Sequence, residues 1–108
     1  SRRVSELLRE IIAETIATKI RNPDAAQATV VKVKVSDNLQ QVKVFVTTHG
    51  DEKQREATMN ALQRAQGFIR HEIATQSDLK YVPKLQILYD DTLDYVENID
   101  RLLRSLKQ

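Results

Sequence analysis

Residues 64–70 read Arg64-Ala65-Gln66-Gly67-Phe68-Ile69-Arg70, and the glycine near their centre governs how the chain is understood. The surrounding pattern is helical from Asp51 to about Ser77, with Leu62, Ala65, Ile69 and Ile73 three or four apart on one face. A glycine inside such a pattern destabilises a helix by about 1 kcal/mol relative to alanine, so its presence needs a reason. Either Gly67 marks a break between two helices, or it lets another backbone approach, or it is a packing glycine. Arg64 and Arg70 stand three residues away on either side. A break edged by cations would seat a phosphate backbone, and the packing alternative stays open at this level.

Outward from that segment the chain divides cleanly. Val4, Leu7, Leu8, Ile11, Ile12, Ile16 and Ile20 form a helix stripe that stops near Asn22-Pro23. Valines alternate with lysines over residues 28–36, with Val31, Val33 and Val35 assigned to one face. They alternate again over 41–48, where Val42, Val44 and Val46 oppose Lys43, Phe45 and Thr47. Period two with β-branched residues predicts two half-buried strands joined by a turn at Asp37-Asn38. Asp51 is a good N-cap, with Gln54 at the capping-box position. Pro83 opens a short strand over 85–89, and the last helix starts near Thr92 with Leu93, Val96, Ile99, Leu102, Leu103 and Leu106. Its acids (Asp94, Glu97, Asp100) lead and its bases (Arg101, Arg104, Lys107) follow, as the helix dipole favours. The economical arrangement is α+β: one domain over residues 1–108, a three-stranded sheet with its helices on one face.

Composition narrows the function classes. The chain has 108 residues, no cysteine and a net charge of +2. No disulfide framework or thiolate metal site is available, and no apolar run reaches the length of a membrane span. Residues 1–88 carry 14 basic and 10 acidic side chains, and residues 89–108 carry 3 and 5. The positive excess sits on the body, which favours an anionic partner. His49 beside Asp51 and His71 beside Glu72 lack metal-ligand spacing, and Asp90, Asp91 and Asp94 are explained by a helix start. With no phosphate loop and no nucleophile motif, no enzyme and no cofactor are expected. The sheet face opposite the helices should show Lys32, Lys34, Lys43 and Phe45. That face reads either as lysine solubilisation or as a secondary RNA contact, although one aromatic is a poor stacking platform.

Several stretches together resemble the ribosome-binding factor A family. Ala65-Gln66-Gly67 stands where that family has an Ala-x-Gly kink in place of the Gly-x-x-Gly loop of ordinary KH domains. Phe68-Ile69-Arg70 is similar to its aromatic-Ile-Arg continuation. Arg3-Val4 with Leu7 and Ile11 resembles its first helix, Thr29-Val30 with Val33-Lys34-Val35-Ser36 its first strand, and Leu39 with Val42-Lys43-Val44-Phe45-Val46 its second. Val82-Pro83-Lys84-Leu85 followed by Asp90 is similar to its third strand. The departures are Asn22-Pro23-Asp24 where the family usually reads Asp-Pro-Arg, Lys80 near a usual Arg, and Lys84 for a usual Glu. No role is carried over for the first loop.

The resemblance implies a KH-like fold of type II topology with a kinked helix pair. It also implies a non-enzymatic ribosome biogenesis factor that binds the small (30S) subunit and its 16S-type rRNA. Such factors assist late maturation of the rRNA 5′ region, often in cold adaptation, as monomers in the bacterial cytoplasm. An organelle is the setting for a chain from which a transit segment has been removed. Assembly GTPases are a further partner class, and no membrane is involved. The residues expected to contact RNA are Arg64, Ala65, Gln66, Gly67, Arg70, Lys80 and Lys84, converging around the kink. Arg2, Arg3 and Arg9 on the first helix and Lys32, Lys34 and Lys43 on the sheet are secondary candidates. The alternative is a basic α/β adaptor that binds acidic proteins without touching RNA, which a steep salt dependence of RNA affinity would exclude.

Overall fold

The valine alternation builds the sheet. In the computed structural model, which describes residues 2–107, β1 (Thr29–Val35) and β2 (Gln41–Thr47) pair antiparallel, and β3 (Lys84–Tyr89) joins β2 in parallel. The order is β1-β2-β3, so β2 is central and β3 is an edge. Val33, Val42, Val44, Val46, Leu85 and Ile87 are buried on one face, while Lys34, Lys43, Lys84 and Gln86 are exposed on the other. A two-residue side-chain period produces this split directly.

One detail of β1 differs from the expected pattern. Pairing runs Val30↔Val46 and then Lys32↔Phe45, so Val31 is an extra residue in a β-bulge. Val31 is therefore exposed, and Val30 rather than Val31 shares the inner face with Val33 and Val35. The bulge changes the inward phase, so that Ala28 and Val30 join Val33 and Val35 over the core while Thr29 and Val31 stay outside.

Helices cover the valine face. α1 (Arg2–Glu14) buries Leu8, Ile11 and Ile12, then widens into a π-helical turn, Thr15–Lys19, that buries Thr15 and Ile16. Asn22 caps α2 (Pro23–Ala26) by accepting from the Asp24 and Ala25 amides, so Pro23 starts a short helix, whereas the first helical segment has already ended at the extended Ile20. α3 (Glu52–Arg64) contributes Thr58, Ala61 and Leu62, and α4 (Gln66–Gln76) contributes Ile69 and Ile73, to the same core. Asp51 caps α3 through the Gln54 amide at 2.9 Å. The Gln54 side chain turns to Asp24 and Thr58 instead of closing the box.

α5 (Thr92–Leu106) buries no side chain. Its start is tied down by an Arg55–Asp94 ion pair at 2.8 Å, and the Arg55 guanidinium lies 3.9 Å from the centre of the Tyr89 ring. Beyond that, Val96, Leu102, Leu103 and Leu106 remain exposed. The radius of gyration is 15.9 Å, against about 13 Å for a compact chain of this length, because α5 stands off the body. No helix of the described residues is long and apolar enough to cross a membrane.

Candidate nucleic-acid interface

The break between α3 and α4 falls at Ala65. Its amide is shared between the Ala61 and Leu62 carbonyls, both at 3.1 Å, and its backbone sits at φ −88°, ψ 0°. That is the sparsely allowed bridge region, where a helix can end without a left-handed residue. α4 restarts at Gln66, and Ala65 gives it no side-chain cap. The first amides of a helix have no intrahelical acceptor, so an uncapped start presents donors and the positive end of the dipole outward.

Gly67 lies in this first turn, exposed. A Cβ added there would meet nothing within 4 Å, and its φ is outside the left-handed range. Neither packing nor backbone geometry within the chain requires a glycine. Phe68 follows it, 43% exposed, an aromatic presented at the same turn.

A row of side chains fixes the break against β3. Gln63 Nε2 donates to the Ile87 carbonyl at 3.4 Å, Gln66 Nε2 to the Leu85 carbonyl at 3.4 Å, and Arg70 Nε to the Pro83 carbonyl at 3.3 Å. Arg70 Nη2 adds the Val82 carbonyl at 3.2 Å, and Gln66 also donates to Gln63 Oε1 at 2.7 Å. The strand bonds to β2 through the opposite set of residues: at its two ends Lys84 N donates to Gln40 and Asp90 N to Val46. Carbonyls 83, 85 and 87 are thus the outward acceptors of an edge strand, and residues 63, 66 and 70 keep helical spacing across the break to reach them. An edge closed in this way resists pairing with another chain.

The expected convergence of Arg64, Arg70, Lys80 and Lys84 is met in part. Arg70 reaches the residues that immediately precede Lys84, so these two are neighbours at the start of β3. Arg64 is exposed at the end of α3 and enters no ion pair among the described residues. Lys80 lines a hollow with Asn38, Leu39, Gln40 and Tyr81 at the β1–β2 turn, its Nζ 5.6 Å from the centre of the Tyr81 ring, and the Gln40 carbonyl of that turn also accepts from the Lys84 amide. Gln66 and Arg70, expected as ligands, have intramolecular partners first. Arg70 keeps further N–H donors beyond the two it uses.

Among the secondary candidates, Arg2 and Arg3 are exposed, whereas Arg9 is held by Glu6 at 3.1 Å. Lys32, Lys34 and Lys43 are all exposed on the open sheet face. Glu72, the only acid on α4, is engaged by Lys19 at 2.6 Å. The hydrogen bond from the ammonium holds the Glu72 carboxyl below its ordinary value of 4.5 and Lys19 above 10.5. No group of three or more potential metal ligands occurs among the described residues.

The sequence pattern of ribosome-binding factor A matches residues 1–103. This chain belongs to the ribosome-binding factor A family. The relative from Macrococcus caseolyticus is 39% identical over 108 residues, spanning all of this chain and 95% of its own length. The one from Halothermothrix orenii is 37% identical, again over the whole chain and 88% of its own length. The Thermus thermophilus ribosome-binding factor A crystal structure has a TM-score of 0.73 at 24% identity, covering 82% of this chain and 92% of that one. Coordinates of the Thermus protein fitted into the cryo-EM map of a 30S complex give 0.67 at 24%, over 80% and 90%. The ribosome-binding factor A fold is KH-like, and the mixed three-stranded sheet with its broken helix pair is that fold. Two residues at the break, Phe68 and Gln63, are not among the RNA contacts that the sequence suggests. The exposure of Phe68 had a signal, since it falls one residue before the buried Ile69 on the helical wheel, whereas the Gln63 contact had none.

Proposed function

We propose that this chain binds the small ribosomal subunit through its rRNA, with the break at Ala65 and the first turn of α4 against the RNA backbone. Gly67 carries the reading: a helical glycine with open space beside it and no internal use for its missing side chain leaves room for a group from outside. Uncapped amides at the start of α4, Arg64 across the break, Arg70 and Lys84 at β3, and the exposed Phe68 ring suit a backbone-led contact with one stacked base. The family and the Thermus protein's 30S complex support the choice of partner. The finer reading, from the family resemblance, is late maturation of 16S-type rRNA including its 5′ region. In it a monomer acts without catalysis in the bacterial cytoplasm, with assembly GTPases as accessory partners. The test is co-sedimentation with purified 30S subunits across a salt series, parent against Gly67→Glu. Binding that falls steeply with salt and is lost in the variant is expected. Full binding by Gly67→Glu would remove the kink from the interface, and salt-independent binding would remove RNA as the partner.

A further inference from the structure

The open face of the sheet is unusual in its charge. The three strands, Thr29–Val35, Gln41–Thr47 and Lys84–Tyr89, contain four lysines and no acid. Register places all four lysines on the exposed face: Lys34 opposite Lys43, Lys32 opposite Phe45, and Lys84 opposite Gln41. Like charges directly opposite one another destabilise a sheet. None of the four enters an ion pair among the described residues, and the partial counter-charge that Asp90 gives Lys32 is small: the Asp90 carboxyl is lowered mainly by its hydrogen bonds from Thr92 and least by the Lys32 charge. The nearest acids in sequence are Asp90, whose carboxylate accepts from the Thr92 amide at 2.9 Å, and Asp37 in the turn. A face serving solubility alone would intersperse both signs.

The lysines are also held in place. Lys32 Nζ lies 4.8 Å and Lys34 Nζ 5.9 Å from the centre of the Phe45 ring, so one aromatic face fixes two ammonium groups above the sheet. The ring is thereby occupied and is not a platform for a base. Lys34 and Lys43 rim an open hollow of about 300 Å³ shared with Ser36 and Gln41. Lys84 continues the face to the β3 edge, next to the Pro83 carbonyl that Arg70 holds.

We propose that this face is a second RNA-phosphate contact surface, formed by Lys32, Lys34, Lys43 and Lys84 and continuous with the kink around the β3 edge. The inference rests on the small-subunit RNA reading above. It implies recognition by backbone charge without base preference, with the repulsion between Lys34 and Lys43 relieved when phosphates lie between them. One chain would then hold RNA on two faces.

The experiment compares the parent, the triple variant Lys32→Gln/Lys34→Gln/Lys43→Gln, and Gly67→Glu. Each is measured for binding to protein-free small-subunit rRNA and to purified 30S subunits from 0.05 to 0.3 M salt. Three single-strand phosphate contacts contribute a salt slope of about 2, so the triple variant should lose about 2 units of slope. Its binding should be roughly 100-fold weaker at 0.1 M if affinities converge at 1 M. Its melting temperature is read alongside, since losing the Lys34–Lys43 repulsion and losing the two contacts to Phe45 act in opposite directions. If it fails to fold, Lys43→Gln alone should lose about 0.7 units. An unchanged slope in a folded variant, with Gly67→Glu still impaired, overturns this inference and leaves the kink reading standing. Parental binding by both variants overturns both readings. Weakened 30S binding with unchanged rRNA binding would assign the face to a ribosomal protein and equally overturn the inference.

Discussion

Replacing Gly67 by alanine separates the reasons a helix can have for a glycine. The added methyl group meets nothing within 4 Å, and the backbone is outside the left-handed range, so the folded chain imposes no penalty. Helix propensity then sets the sign, favouring alanine by about 0.5–1 kcal/mol. For a domain of this size that raises the melting temperature by roughly 2–8 °C. Binding should move the other way. A methyl group between the first-turn amides and a phosphate costs one charge-assisted hydrogen bond, about 1.5–3 kcal/mol, or roughly 10- to 150-fold in Kd. Scanning calorimetry reads the first effect, and titration of a fluorescently labelled chain with 30S subunits reads the second. A variant that is more stable yet binds more weakly is the expected result. A lower melting temperature would refute the open space beside Gly67, and an unchanged Kd would refute close approach by the RNA backbone.

Two further outcomes test the packing around the site. Arg70→Met, which keeps the apolar stem but loses the bonds to the Pro83 and Val82 carbonyls, should lower the unfolding free energy by about 1 kcal/mol in urea titration, and a variant as stable as the parent would show that these bonds hold nothing. Glu72 titrates below its ordinary value in the folded chain, so the Lys19–Glu72 contribution is fully present above pH 4.5 and is lost as pH falls through the lowered folded value. The stability gap between the parent and Glu72→Gln should therefore be constant near neutrality and close in acid. A gap that persists at pH 2 would mean that the pair is not its source.

Much of the fold is legible in the sequence because two periodicities write it. Alternating valines over residues 28–36 and 41–48 become strands at Thr29–Val35 and Gln41–Thr47. The Ala65-Gln66-Gly67 segment becomes a helix break within two residues of the glycine. The bulge escapes because Val30 and Val31 are chemically equivalent, and only the partner strand decides which of them faces inward. Leu39 is similar: its φ of 60° is rare for a leucine, and the turn tolerates it because Asn38 accepts from Ser36 Oγ and the Gln40 amide. The site is less legible than the fold. Arg64 and Arg70 look equivalent beside Gly67, yet one is exposed without an ion pair and the other is bonded to the carbonyls ahead of β3. A loop carbonyl 12 or 13 residues away leaves no mark on the sequence around an arginine.

The same limit explains the two amphipathic helices at the ends of the chain. Both carry an apolar stripe at helical spacing, and period alone gives them equal claims on a core. α1 buries Leu8, Ile11 and Ile12, whereas α5 buries nothing. The difference is one of available surface. A three-stranded sheet is about 10 Å wide between its outer strand axes, and a helix with side chains is about 10 Å across, so α1, α3 and α4 already fill the valine side. α5 follows an edge strand whose outward carbonyls are taken by Gln63, Gln66 and Arg70, and the remaining sheet face is lined with lysines. The apolar side chains that the body leaves exposed, among them Leu7, Val31 and Phe68, are scattered over separate elements and form no face for Leu102, Leu103 and Leu106, so α5 is held at its first turn by the contacts of Arg55. The contacts that close the β3 edge and the charge that marks the open face thus also determine that the last helix stands off the body.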